Sequence, residues 1–170
     1  MEQDTRVANG KNQEGVVYFS IAIYMLTQTT VIINKPIREV WAFFKKPDNL
    51  KLWLGGFQRF QHVSGTPGTV GAKAKHYFLE KGKELVMEEE ILEEIPEKKF
   101  VGTLSSPMMV NTVTNYFNDL GNDQTEYSLS SDTQFKGFFW KQVGPLMKGE
   151  FKKRQENDLQ RLKQILEGRQ

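Results

Sequence analysis

Three consecutive glutamates and a nearby histidine are the residues of this sequence best suited to acid–base chemistry. Glu88, Glu89 and Glu90 lie in the stretch LVMEEEILEE, whose composition predicts a β-strand. Because successive side chains of a strand point to opposite faces, the three carboxylates do not all face water. Lys73 and Lys75 of the preceding predicted strand match Glu88 and Glu90 across a short hairpin, and these opposite charges assign both glutamates to the outer face. Glu89 is therefore predicted to point inward.

His76 is predicted to share the inner face with Glu89. In the stretch AKAKHYFL it alternates with the lysines and has the parity of Ala72, Ala74 and Phe78. An unpaired carboxylate among apolar neighbours is costly, and a protonated imidazole would offset that cost. The pair is expected to form a polar spot that orients a ligand hydroxyl or carbonyl, or acts as an acid or base. The alternative is that Glu89 lies at a rim or a bulge and is simply hydrated.

Neither a metal nor a cofactor is expected. Pairing of two strands around Thr66 and Pro67 places His62 and His76 about five residues apart along the ladder, or roughly 17 Å, which is too far to share an ion. The stretch GTPGTVGAK contains neither a GxGxxG pattern nor a P-loop lysine–serine pair, and it joins two strands. It therefore predicts a hairpin turn. The sequence also lacks the Gly-x-Ser-x-Gly elbow of a serine hydrolase.

The periodicity of the chain predicts the scaffold that positions these residues. A strand ending at Ile33 is followed by two short helices, because Val40, Trp41 and Phe44 recur at helical spacing before Pro47. Six strands joined by short turns follow, at 57–63, 70–79, 85–95, 100–106, 110–118 and 125–132. Residues 138–167 have helical spacing, with a kink or a later start at Gly144-Pro145.

These elements predict one α+β arrangement. Consecutive hairpins require an antiparallel sheet, since turns of that length do not connect parallel strands. An open sheet with one apolar face must cover that face, and the long last helix is the only element able to do so. We therefore predict a curved antiparallel sheet of about seven strands around a long C-terminal helix, with two short helices after the first strand.

Charge and composition exclude several classes of protein. The chain has 170 residues, a net charge of +2 and no cysteine. A nearly balanced charge does not predict nucleic-acid binding. Without cysteine there are no disulfides and no thiolate metal sites, which fits the cytoplasm. The longest apolar run, residues 16–26, is too short for a transmembrane segment, which needs about 20 residues.

The N-terminal part of the chain is expected to differ from the rest. Residues 1–15 are polar and aperiodic, which predicts a flexible tail. Residues 16–33 are strand-like throughout, yet this is about three times the usual strand length, so part of the stretch is expected not to be sheet. We expect residues 1–24 to be a flexible or appended segment, either a product of an upstream start codon or an ordinary strand extension. Residues 25–170 are expected to form a single domain.

The sequence resembles the SRPBCC, or START-like, superfamily in three segments: INKPIREVWAFFKKPDNLKLW, GTPGTVGAK and LQRLKQILEG. The subgroup that it resembles most is the one labelled polyketide cyclase/dehydrase and lipid transport, and the resemblance covers about residues 29–168. It implies the helix-grip fold, in agreement with the periodicity, and a cavity for an apolar or amphipathic ligand. It does not define one function, because the superfamily includes lipid carriers, hormone-binding proteins and cyclases.

Strand parity and helical spacing predict which side chains line that cavity. In the last hairpin Tyr127 is expected to face inward together with Thr114 and Tyr116. A filled core is the alternative for the aromatic and methionine side chains. The candidate ligand-binding residues are Trp41, Trp53, His76, Phe78, Met87, Glu89, Thr114, Tyr116, Tyr127, Phe139, Val143, Met147 and Phe151.

The leading hypothesis for function is the binding of a hydrophobic, lipid- or polyketide-like small molecule by a carrier or sensor. The alternative is a cyclase or dehydratase in the same cavity, for which His76, Glu89, Tyr116 and Tyr127 are the candidate acid–base groups. A protein–protein adaptor is a third class. A pocket of several hundred Å³ with a polar spot would favour binding or catalysis, and a filled interior would favour the adaptor.

Overall fold

A computed structural model describes residues 5–11 and 17–168, with side chains from residue 24 onward except those of Lys141 and Pro145. Among these residues, no helix is both long enough and apolar enough to cross a bilayer.

A long N-terminal hairpin begins the sheet. Strand β1, Thr5–Lys11, pairs antiparallel with the first half of strand β2, Val17–Ile33. The second half of β2, residues 24–33, pairs with the last strand of the chain, Gln124–Phe135. The expectation that part of this stretch is not sheet is wrong for residues 17–33, because two successive partners extend one strand to 17 residues.

The N-terminal division of the chain stays a prediction. The stretch expected to be a flexible tail contains β1, which is paired along its whole length. Residues 1–4 and 12–16 lie outside the described residues.

Two short helices follow β2, as predicted. Helix α1, Ile37–Phe44, begins directly after Pro36 and buries Val40. A 3-10 turn, Pro47–Asn49, leads into helix α2, Leu50–Trp53. Proline suits such starts because its missing N–H removes no hydrogen bond in a first turn.

The remaining strands form a meander of hairpins. They are β3 Phe57–Ser64, β4 Lys73–Glu80, β5 Lys83–Ile95, β6 Lys99–Ser105, β7 Met109–Gly121 and β8 Gln124–Phe135. Every neighbouring pair is antiparallel, and the order across the sheet is β1-β2-β8-β7-β6-β5-β4-β3. The predicted antiparallel sheet of seven strands, β2 to β8, is confirmed, and β1 adds an edge strand.

The C-terminal helix is interrupted at Gly144-Pro145. Helix α3, Phe138–Val143, passes into a 3-10 segment, Gly144–Met147, and then into helix α4, Lys148–Leu166. Proline interrupts the α-helical hydrogen-bond ladder, which favours the tighter 3-10 turn. A Cβ atom on Gly144 would lie 2.5 Å from the ring of Phe135, so a side chain at this position requires the ring to move. Helical phase is therefore continuous only from Lys148 onward.

Helix α4 divides the concave face of the sheet into two halves. Its C-terminal part packs a closed core, and we call this region the filled half. The buried residues of the filled half are Val31, Ile33, Val40, Trp53, Phe117, Tyr127, Leu129, Leu159 and Leu162. The N-terminal part of α4 faces the inner side of β3 to β6 and parts of β7 and β8, and we call this region the open half. The buried cluster there is smaller and consists of Phe57, Phe78 and Met87.

The register of the β3–β4 hairpin differs from the predicted one. The connection extends to Ala72, because Thr69 donates a backbone hydrogen bond to Thr66 and Ala72 donates one to Thr69. As a result Phe60, not Phe57, lies opposite His76.

The β7–β8 hairpin also has a different register. A bulge between Asp119 and Gly121 shifts the pairing by one residue, so that Asn115 lies opposite Leu129 and Phe117 opposite Tyr127. A one-residue shift moves every side chain of a strand to the other face. Thr114 and Tyr116 therefore face outward, and the prediction that they face inward is wrong.

Candidate functional site

The open half encloses a cavity with a volume of about 640 Å³. Its lining comes from the inner faces of the strands and from the facing side of α4, and most of it is apolar. Gly68, Lys81, Met147 and Glu150 are exposed members of the lining, so they mark where the cavity meets the surface. Apolar members of the lining include Phe44, Phe60, Leu85, Ile91, Leu104 and Phe135.

His76 and Glu89 form a polar pair in the wall of this cavity. His76 Nε2 lies 3.0 Å from Glu89 Oε2, and the two side chains are only 5% and 18% exposed. The backbone partner of His76 is Met87, so the contact is diagonal across β4 and β5. On the outer face Lys73 pairs with Glu90 at 3.4 Å, as the charge pattern predicts. The Glu89 carboxylate is therefore inward and hydrogen-bonded.

Aromatic rings surround the imidazole of His76. The ring centroids of Phe57 and Phe60 lie 5.5 and 5.6 Å from it, and that of Phe78 lies 6.4 Å away. This packing orients the ring, so that Nε2 meets the carboxylate of Glu89. The other nitrogen, Nδ1, is buried and has no hydrogen-bond partner among the described residues. Because most buried polar atoms are paired, Nδ1 is a candidate for contact with a bound molecule.

A second group of polar side chains lies on β7, β8 and α4, across β6 from His76 and Glu89. Gln155 Nε2 of α4 donates to Ser131 Oγ at 2.8 Å, and Asn111 Nδ2 donates to the same oxygen at 3.4 Å. Thr133 Oγ1 donates to Asn111 Oδ1 at 3.2 Å. Asn111, Ser131 and Gln155 line the cavity. The cavity therefore has a carboxylate–imidazole pair in one wall and neutral amides and a hydroxyl in another.

Tyr127 is fully buried in the filled half and does not line the cavity. Its hydroxyl donates to Asn115 Oδ1 at 2.7 Å, and Asn115 Nδ2 donates to the carbonyl of Phe100 at 3.2 Å. Burial raises the pKa of Tyr127 far above its ordinary value, and the charge of Asp158 adds to the effect. The phenol is therefore a neutral hydrogen-bond donor with a structural partner.

Charged side chains tie α4 to the loop that follows α2. Asp158 Oδ1 accepts hydrogen bonds from the Gly55 amide at 3.0 Å and from Arg161 at 2.9 Å. Arg154 donates to the Gly55 carbonyl and pairs with Glu80 at 2.5 Å. Burial raises the pKa of Asp158, although the Gly55 amide and the two arginines oppose the shift. These bonds hold α4 over the sheet on this side of the cavity.

The structure brings about half of the predicted residues together around the cavity. His76, Phe78, Met87 and Glu89 line it from β4 and β5, as strand parity predicts. From the helices come Trp53, Met147 and Phe151. The predicted residues in the lining are Trp53, His76, Phe78, Met87, Glu89, Met147 and Phe151.

The other predicted residues lie elsewhere. Trp41 packs edge-on against Phe117, with ring centroids 5.2 Å apart, and belongs to the filled half. Phe139 is 63% exposed, because the 3-10 segment puts α3 out of phase with α4. Val143, also on α3, does not line the cavity, and Trp140 takes this role. Thr114, Tyr116 and Tyr127 are absent from the lining for the reasons given above.

Sequence reasoning also missed several lining residues. Asn111 and Asn115 face the cavity because of the bulge in the β7–β8 hairpin, which no sequence signal marks. Ser131 has the inward parity predicted for Tyr127 on β8, but it was not among the predicted residues. Gly102 does carry a signal, since a glycine inside a strand often marks a close approach of another group. It lies in the lining, on the inner face of β6.

His62 also reaches the cavity lining. It lies opposite Ala74, two residues along β4 from His76, so the predicted separation of five residues is wrong. Among the described residues, no group of three or more histidine, aspartate and glutamate side chains is arranged to hold a metal ion.

No family model and no curated protein matches the sequence. Solved structures, however, match the fold. A protein of unknown function from Staphylococcus aureus superposes with a TM-score of 0.70 at 12% identity, covering 86% of this chain and 96% of the other. Ara h 8.0201 does so with a TM-score of 0.65 at 13% identity, covering 84% and 97%.

A third similar structure is norcoclaurine synthase from Thalictrum flavum, in complex with dopamine and hydroxybenzaldehyde. Its TM-score is 0.64 at 13% identity, with coverage of 88% of this chain and 90% of the synthase. At such identities the likeness shows the fold alone. The helix-grip fold expected from the sequence is confirmed.

Proposed function

We propose that this chain binds an apolar or amphipathic small molecule, lipid- or polyketide-like, in the cavity of the open half, as a carrier or a sensor. Residues 25–170 would act as one ligand-binding domain of the SRPBCC/START-like kind. The observation that carries this proposal is the cavity of about 640 Å³ with a mostly apolar lining. Protein interiors are normally close-packed, whereas small-molecule sites span about 300–1,000 Å³. A protein–protein adaptor would not need this space.

The polar groups in the wall favour an amphipathic ligand over a purely apolar one. Ligand pockets typically combine apolar walls with a few placed polar groups that fix orientation. The His76–Glu89 pair and the Asn111–Ser131–Gln155 group are of this kind. A similar fold holds dopamine and hydroxybenzaldehyde, which supports a small-molecule role for this one. The lack of cysteine supports a reducing compartment, and we place the protein in the cytoplasm.

Native mass spectrometry of freshly purified protein tests the proposal, with Nile red as an added uncharged probe. Ala74 is 4% exposed and lines the cavity, so Ala74→Phe places a ring inside it. Thr103→Phe, on the outer face of β6, adds the same group outside the cavity and serves as the matched control. We expect wild type and Thr103→Phe to retain a bound small molecule or Nile red, and Ala74→Phe to lose it.

Two results would count against this assignment. One is a wild-type protein that carries no small molecule and does not bind Nile red. The other is equal binding by wild type and a folded Ala74→Phe variant, which would place the ligand outside the cavity.

A second candidate function is catalysis in the same cavity, of a cyclase or dehydratase type. The observation that favours it is the orientation of His76, which Glu89 holds through Nε2 while Nδ1 has no partner among the described residues. A carboxylate that orients an imidazole is a common arrangement of general bases. Nδ1 would accept a proton from the substrate, and Glu89 would stabilise the resulting imidazolium.

The two candidates give different results with the compound that copurifies. If the protein is a carrier or sensor, wild type returns the compound with its mass and structure unchanged. If it is an enzyme, wild type converts a precursor, and His76→Gln lowers the rate by about 100-fold or more while binding persists. Chromatography of the reaction mixture coupled to mass spectrometry reads out both cases.

A further inference from the structure

Gly102 leaves a gap in the wall of the cavity. It lies on the inner face of β6, opposite Ile91 of β5 and Val113 of β7. A Cβ atom built on Gly102 would have only two described atoms within 4 Å, the backbone oxygen of Glu90 at 3.3 Å and Glu89 Oε1 at 3.9 Å. Its φ angle lies outside the left-handed region, so the backbone itself does not require glycine. The glycine therefore keeps space open beside the Glu89 carboxylate.

The carboxylate oxygen next to this gap is the free one. Glu89 Oε2 is engaged by His76 Nε2 at 3.0 Å. No described residue gives a hydrogen bond to Oε1, and the Glu89 side chain as a whole is 18% exposed. An ionised carboxylate only accepts hydrogen bonds, so the group that completes Oε1 must be a donor.

We propose that the gap over Gly102 is the subsite for the polar end of the ligand, and that this end is a hydrogen-bond donor bound by Glu89 Oε1. The chemical class is an amphipathic alcohol, phenol or protonated amine. This inference rests on the proposed function, since it names the kind of ligand that the cavity takes. It excludes simple fatty-acid-like anions as the preferred ligands.

The charges around the cavity support a donor over an anion. His76, the basic side chain beside Glu89, already pairs with that carboxylate through Nε2. Lys45 pairs with Glu94 at 2.8 Å, and Arg154 pairs with Glu80. Lys73 pairs with Glu90 on the outer face, and Lys81, the remaining lysine or arginine of the lining, stands in the exposed β4–β5 turn. A ligand carboxylate beside Glu89 would meet a like charge in an apolar wall, which disfavours it.

Four fluorescent probes that share one ring system test the donor requirement. They are 1-pyrenemethanol and 1-pyrenemethylammonium as donors, 1-pyrenecarboxylate as an anion, and 1-methylpyrene as a probe without a polar group. We expect wild type to bind the two donors about 10-fold or more tighter than the other two, as hydrogen bonds to a charged acceptor allow. Equal affinity for all four, or a preference for the carboxylate, would overturn the inference.

Variants at the two positions identify the subsite. Gly102→Val fills the gap, and the milder Gly102→Ala covers the case in which valine disturbs folding. Both should remove the donor preference while 1-methylpyrene still binds. Glu89→Gln keeps an acceptor oxygen but not the charge, so the ammonium probe should lose more affinity than the alcohol. Thr103→Ala, next to Gly102 but outward-facing, should leave every affinity unchanged.

The outcomes separate this inference from the proposal beneath it. If the probes and Nile red all fail to bind wild type, the cavity is not a ligand site and both statements fall. If 1-methylpyrene and the carboxylate bind as well as the donors, the cavity binds ligands and only the donor subsite is wrong. A donor preference that survives in a folded Gly102→Val variant would also overturn the assignment to Gly102.

Discussion

The two halves of the concave face have the same architecture but opposite interiors. In the filled half, Leu159 and Leu162 of α4 belong to a buried cluster with residues of β2 and β8, and both leucines are completely buried. In the open half, the same helix places Phe151, Arg154 and Gln155 over a cavity of about 640 Å³. One sheet and one helix thus form a packed core in one half and a cavity in the other.

This difference indicates that the two halves have different roles. The filled half supplies the close packing that stabilises a small domain. The open half accepts unpaired polar atoms, such as His76 Nδ1, and space that a core would not tolerate. Proteins often lose some stability at functional sites and recover it elsewhere. The filled half is therefore expected to dominate the free energy of unfolding, and the open half to dominate binding.

The largest expected effect is in the filled half. Leu159→Ala removes a fully buried side chain and should lower the free energy of unfolding by about 2–5 kcal/mol. Phe151 lies on α4 in the open half. Phe151→Ala should lower the free energy of unfolding by only about 1 kcal/mol, because one side of the ring faces the cavity. Urea unfolding of both variants measures the difference. Similar losses in the two variants would mean that the open half is packed as tightly as the filled half.

The polar pair in the open half should show the next largest effect. Glu89→Leu alone leaves both nitrogens of His76 without partners and should cost about 1–3 kcal/mol. The double variant His76→Leu with Glu89→Leu should recover most of that loss or exceed wild-type stability, because an apolar pair needs no compensation. Glu90→Ala, on the outer face of the same strand, is the control and should change stability by less than about 1 kcal/mol. A double variant less stable than the single one would show that the pair is structural.

A hydrogen bond of the filled half gives a smaller effect. Tyr127→Phe removes the hydroxyl that satisfies Asn115 Oδ1 and should cost about 1–2 kcal/mol in urea unfolding. The comparison variant is Ser128→Ala on the outer side of the same strand, whose hydroxyl contacts exposed Thr30. It should stay within about 0.5 kcal/mol of wild type. An unchanged midpoint for Tyr127→Phe would show that the buried bond contributes nothing.

The smallest expected effect concerns the pH dependence set by Asp158. Because burial raises its pKa in the fold, the native state keeps this proton to a higher pH than the unfolded chain does. Stability from this group is therefore lost as the pH rises above its ordinary pKa of about 4. Asp158→Asn keeps an acceptor for the Gly55 amide and cannot ionise. The stability of wild type relative to this variant should fall as the pH rises above about 4, and a difference that grows with pH would have the wrong sign.

The sequence was sufficient to predict the structure where it depends on pairing between strands joined by a tight turn. The two-residue turn at Lys81 and Gly82 has positive φ angles of 50° and 78°, so the β4–β5 register follows directly from a tight hairpin. The opposite charges of Lys73 and Glu90 reinforce that register. This is why the inward position of Glu89 and its contact with His76 were predictable.

Prediction from the sequence failed where a local irregularity of the backbone changes which side chains face inward. The bulge before Gly121 exchanges the two faces of β7, and the extended connection to Ala72 shifts β3 against β4. The 3-10 segment, Gly144–Met147, likewise turns Phe139 outward. Each of these depends on backbone geometry that alternation and helical spacing do not encode. The fold survives such shifts because the number and order of elements stay the same, but the identity of individual lining residues does not.

The most direct test of the central claim is a map of amide chemical shifts by two-dimensional NMR during titration with Nile red. We expect the shifts to change at residues around the cavity, such as His76, Gly102 and Phe151. We expect little change in the filled half, at Val31, Leu159 and Leu162. Changes centred on the filled half, or on the outer face around Thr103, would contradict the assignment of binding to the open half.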